Sequence, residues 1–167
     1  MRANGKQPKR CWPSLAVCTA VLLPNVPQPH MPDEPPTIET ATAFVTLTEA
    51  RLIEQRYKPI AVLTFENIHE NADARSRLSP DQACTLLVVI PKEMVPDPPL
   101  SNEDHFRGTR AKAHILALAV VTDSSMMTAV SKLYFMYHPQ AFETKVFEEE
   151  YDARMWLRSK MEELRSV

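Results

Sequence analysis

Thr85-Leu86-Leu87-Val88-Val89-Ile90 carries five large aliphatic side chains in a row, with Cys84 ahead of it and Pro91 behind. A run this short, with no polar alternation and closed by proline, predicts a central β-strand covered on both faces. Ile115-Leu116-Ala117-Leu118-Ala119-Val120-Val121 repeats the pattern thirty residues later. Two buried strands with helical segments around them imply crossover connections and a mainly parallel sheet.

Working outward, Thr40–Glu49 is rich in β-branched residues, and Ala43, Val45 and Leu47 alternate with polar neighbours. Leu52–Tyr57 repeats a weaker version, so the pair reads as a β-hairpin, with one helix across Thr46–Gln55 as the rival. Leu63–Leu78 is helical, capped by Thr64, with Phe65, Ile68, Ala72 and Leu78 near one face and Glu66, Glu70, Asp73 and Arg77 toward solvent. Pro91, Pro96, Pro98 and Pro99 impose a loop, after which Ser101 caps a polar helix over 102–114. Ser124 or Ser125 caps the next helix, whose apolar positions are Met126, Ala129, Val130, Leu133 and Met136. Thr144–Phe147 is a brief strand, and Tyr151–Leu164 is an amphipathic helix with Ala153, Trp156, Leu157, Met161 and Leu164 on one face. The expected order is β-β-α-β-α-β-α-β-α, an α/β domain with a mixed sheet and an N-terminal hairpin.

Composition narrows the function classes. The chain has 167 residues, a net charge of -2 and only two glycines, Gly5 and Gly108. A phosphate-cradling loop needs several glycines close together, so none can be built and no nucleotide cofactor is expected. The charge gives no reason to expect nucleic acid. Cys11, Cys18 and Cys84 form no CxxC pair, which removes disulfide and zinc frameworks and leaves Cys84 as a buried thiol suited to a reducing cytoplasm.

Residues 1–36 hold eight of the fifteen prolines and no apolar periodicity, so they read as a disordered or artefactual extension, with the domain over 37–167. A start at Met31 accounts for the artefact. The basic stretch followed by Ser14–Leu23 is the alternative, a weak export signal, and it falls short of the roughly 18 apolar residues of a membrane span.

The C-terminal third carries a resemblance. Ser131-Lys132-Leu133-Tyr134-Phe135, then Pro139, then Thr144-Lys145-Val146-Phe147-Glu148 and Asp152-Ala153-Arg154-Met155-Trp156-Leu157 resemble the end of the STAS-like (SpoIIAA-like) bacterial domains. There a helix with paired aromatics precedes a short strand and a helix bearing Trp-Leu. The resemblance implies a sheet of about five strands with helices packed mainly on one face, used in protein–protein regulation or for small apolar ligands. In the anti-sigma-factor antagonists of that family a phosphorylated serine opens the helix after the central strand. The matching place here is Pro98–Asn102, so Ser101 is the positional candidate for a phosphoacceptor, although the surrounding motif is missing. Asp123-Ser124-Ser125 has the closer letters but follows the next strand, where it reads as a cap.

No HxxxH or HxH pair exists for a metal, and His105, beside Glu103 and Asp104, is the one acid–base candidate. Met126, Met127, Phe135 and Met136 form the candidate binding groove, because adjacent methionines and aromatics cannot all face one side of a helix. The reading is a non-catalytic regulatory interaction module, monomeric or homodimeric, without cofactor and without stable membrane insertion. A carrier of a small apolar ligand or lipid is the alternative.

Overall fold

Strand alternation sorts the side chains of this domain onto two unequal faces of one sheet. The computed structural model describes residues 34–49, 51–59, 61–80, 82–94, 104–106 and 114–165, with residues 164 and 165 described by their backbone alone. The chain divides into Met1–Met31 and Pro32–Val167, and the second unit is the one described.

The elements are β1 (Thr37–Glu39), β2 (Ala43–Glu49), β3 (Leu52–Tyr57), α1 (Phe65–Leu78), β4 (Cys84–Val89), β5 (Ile115–Val121), α2 (Ser125–Tyr137), β6 (Glu143–Phe147) and α3 (Glu150–Arg165). Among the described residues six strands form one sheet in sequence order, β1 to β6. The first three pair antiparallel and the rest parallel. The hairpin is therefore present, and the rival helix across Thr46–Gln55 is excluded. The sixth strand is β1, a three-residue edge split from β2 where Thr40 folds back to bond Ala43. Arg51 enters β3 with φ 74°, a left-handed conformation uncommon for a residue with a Cβ, and its carbonyl accepts the Thr85 amide at 2.8 Å.

One face carries Val45, Ile53, Leu86, Val88, Leu118 and Val120, covered by α1 and α2. The other carries Leu52, Leu87, Ala117, Ala119 and Val121, covered by Ala153 and Leu157 of α3. Two of the three helices among the described residues thus lie on one face. The alternating alanines of β5 leave room for α3, whose Ala153 is fully buried. Thr64 caps α1 by accepting the Asn67 amide, and Ser124 caps α2 by accepting that of Met127, each at 3.3 Å.

The expected α1 face holds at Ile68, Ala72 and Leu78 and is corrected at Phe65, and the expected α2 face is corrected. On α1 the buried positions are Ile68, Asn71, Ala72, Ala74 and Arg75, whereas Phe65 is 38% exposed, meeting His105 edge-on from the first turn. On α2 the inward side is Met127, Val130, Ser131, Tyr134 and Phe135, while Met126, Ala129, Leu133 and Met136 are exposed. The helix is apolar on both sides, so periodicity alone selected the wrong stripe. Ser101 and most of the expected 102–114 helix lie outside the described residues, and Asp104–Phe106 form a turn. Among the described residues no helix is long and apolar enough to cross a membrane.

Candidate functional site

Over the α1–α2 face the packing is incomplete. A cavity of about 150 Å³ lies between the two helices and the sheet. Its floor is Leu86 and Val88 of β4 with Leu118 and Val120 of β5, and its walls include Ile68 of α1 and Met127 and Phe135 of α2. Strand parity explains the floor, since residues two apart on β4 and on β5 point to the same face. Helical spacing explains the walls, since Met127, Val130, Ser131, Tyr134 and Phe135 follow i, i+3, i+4, i+7 and i+8.

One end of the cavity is polar. Arg75, only 7% exposed, lines it from α1, and its Nη1 donates to Oε1 of Gln55 on β3. Its Nε is buried without a hydrogen-bond partner. Burial pushes the guanidinium below its ordinary value, against the pull of Tyr57 and Cys84 nearby. No carboxylate among the described residues pairs with it. A buried charge left without its partner typically costs about 3–5 kcal/mol, so this arginine stands out among the described residues.

Gln55 has polar neighbours. Burial raises the pKa of the Tyr57 hydroxyl, against the opposing influence of Arg75, Asn71 and Gln55. Asn71 accepts from Thr40 Oγ1 at 2.6 Å and donates to Thr42 Oγ1 at 3.1 Å.

The other polar side is aromatic. Tyr134 stacks with His105 and His138, each at 4.9 Å between ring centroids, and its hydroxyl accepts the His105 amide at 2.7 Å. Burial drives the Tyr134 hydroxyl well above its ordinary range, so it acts as a neutral hydrogen-bonding group. His105, the sequence candidate for acid–base work, lines the cavity as part of this stack.

The opposite face of the sheet is closed by charge. Glu54 and Arg56 of β3 meet Glu150 and Arg154 of α3 in one network, with Arg56 to Glu150 at 2.6 Å and Arg154 to Glu54 at 2.5 Å. Arg158 pairs with Glu49 beyond it. These arginines each have a carboxylate, which sets Arg75 apart.

The four residues expected to share a groove are separated. Met127 and Phe135 line the cavity, whereas Met126 and Met136 stand on the outer side of α2, 52% and 65% exposed. Each residue advances the helix by about 100°, so adjacent Met126 and Met127 cannot share a side. Sequence reasoning passed over Arg75 and Gln55. The signal was present in both: Arg75 sits at i+7 from Ile68 on the buried stripe, and Gln55 alternates between Ile53 and Tyr57. Cys84 is a buried free thiol whose pKa burial raises. Among the described residues no group of three or more His, Cys, Asp or Glu side chains is disposed to hold a metal.

Residues 46–161 match the family described as Domain of unknown function (DUF7793), and the chain belongs to that family. The match spans β2 to α3 and so includes the whole cavity floor. No curated protein and no solved structure shows significant similarity to the chain.

Proposed function

We propose that this member of the DUF7793 family is a non-catalytic binding module that encloses a small, largely apolar ligand between α1, α2 and the sheet. The cavity of about 150 Å³ carries the reading. Concave, mostly apolar hollows with a few polar groups at one end are where small molecules bind. Apolar cavities of this volume accept benzene or xenon. Native mass spectrometry of the purified full chain tests the proposal directly. A retained small organic mass, or stabilisation by added benzene that Val130→Phe abolishes, is the expected result. A bare chain indifferent to benzene counts against it.

A second reading is the regulatory protein-interaction module that the STAS-like resemblance implies. The outer side of α2 favours it: Met126, Leu133, Met136 and Tyr137 are 49–74% exposed along one stripe. Its partner is a protein with an apolar face, the simplest being a second copy of this chain, rather than nucleic acid. In this reading Ser101 is the phosphoacceptor that switches the contact, and the buried thiol of Cys84 suits a cytoplasmic setting. Sedimentation of the full chain against concentration tests it. Self-association lost in Leu133→Glu supports the reading, and a monomer at every concentration removes the homodimer form.

A further inference from the structure

We infer that the cavity selects a small organic monoanion, a carboxylate on a compact apolar body, and that Arg75 grips the carboxylate. The inference rests on the cavity reading above and adds the chemical class of the occupant. Three observations on one residue carry it. Arg75 lines the cavity and is 7% exposed, so its charge is largely withdrawn from bulk water. Its single hydrogen bond among the described residues is to the neutral amide of Gln55, and its buried Nε has no partner. A guanidinium cannot shed its proton to escape this position, as a lysine would. The countercharge must therefore come from outside the described protein.

The shape of the site narrows the anion. Gln55 takes one bond from Nη1, and the guanidinium carries further N–H groups of the kind that carboxylates accept from. Among the described residues the remaining polar lining is hydroxyl and amide together with His105, and no second lysine or arginine lines the cavity. One fixed cation matches a monoanion better than a phosphate dianion. Beyond Arg75 the lining turns aliphatic at Ile68, Leu86, Val88, Leu118 and Val120, so the body of the ligand is apolar. A volume of about 150 Å³ limits that body to roughly a benzene ring or a short aliphatic chain.

Calorimetric titration of the full chain with benzoate and hexanoate, against benzyl alcohol, 1-hexanol and inorganic phosphate, tests the inference. The carboxylates are expected to bind about tenfold or more tightly than the alcohols of matching shape, the margin of a charge-assisted pair. Phosphate is expected to bind more weakly than benzoate. Arg75→Gln is expected to erase the preference for the anion while the alcohols still bind. The wild-type comparison alone decides the matter if that variant folds poorly. Alcohols binding as tightly as carboxylates overturn the inference and leave the cavity reading standing. Phosphate matching benzoate overturns the apolar part. Failure of every compound to bind overturns both readings.

Discussion

Arg154 reaches from α3 to Glu54 on β3 and sets its Nη2 2.5 Å from a carboxylate whose side chain is 6% exposed. The same carboxylate meets Arg56 at 3.1 Å, and Glu150 joins both arginines. Glu54 occupies a strand position that its neighbour Leu52 fills with a buried aliphatic group. Its charge is tolerated there because α3 brings a guanidinium to it. Hydrogen bonds to charged groups contribute about 1.5–3 kcal/mol, so Glu54→Gln is expected to destabilise the domain by roughly that amount. Chemical denaturation of Glu54→Gln, Arg154→Met and the double variant should give a coupling energy that is clearly non-zero.

Acid should loosen the same contact. The hydrogen bond from Arg56, opposed by burial and reinforced by Arg154, holds the Glu150 carboxyl below its ordinary 4.5. A carboxyl depressed in the folded state contributes stability above its unfolded pKa and loses it as pH falls through the folded value. The stability gap between wild type and Glu150→Gln is expected to hold above pH 4.5 and to close below it. A gap unchanged down to full protonation would show that Glu150 acts without its charge.

Asn71 is 1% exposed and bonds both Thr40 and Thr42. Asn71→Ala removes the partner of both hydroxyls, and a buried polar group left unsatisfied costs about 1–3 kcal/mol. We expect it to be among the most damaging substitutions on α1, with Asn71→Asp milder. Thermal unfolding followed by circular dichroism measures the ranking.

Leu157 is 1% exposed against the alanines of β5, whereas Trp156 is only part-buried beside Phe147 at 5.7 Å between rings. Leu157→Ala should therefore cost about 2–5 kcal/mol and exceed Trp156→Ala, although the tryptophan is the larger residue. Urea denaturation of the two variants ranks them.

Cys84 should resist alkylation in the native state. It is 5% exposed, and burial raises its pKa, so little thiolate forms where reagent can reach it. Peptide mapping after iodoacetamide should find Cys84 unmodified without urea and modified in its presence. Native labelling would place this strand at a site of local opening.

Most of the architecture was legible because it depends on short-range pattern. Two aliphatic runs named β4 and β5, alternation from Ala43 to Leu47 named β2, and prolines and hydroxyl caps set the ends of the helices. The Ala153, Leu157 and Met161 stripe of α3 was also readable, since polar residues leave that helix a single apolar side. The site was less legible. α2 offers two apolar stripes, and which of them meets the sheet depends on the floor it packs against. The cavity itself is a shortfall of volume between side chains far apart in the chain, and no local pattern records it.

The sequence by itself determined an α/β domain, its N-terminal hairpin and the succession of the described elements from β2 onward, because each follows from residues within one or two turns of each other; the short edge strand β1 escaped it. Only the tertiary structure decided that Arg75 and Gln55, twenty residues apart, meet at the end of a cavity and that no described carboxylate joins them. Periodicity puts an arginine on a helix stripe, but its charge becomes significant only when packing removes water and supplies or withholds a partner.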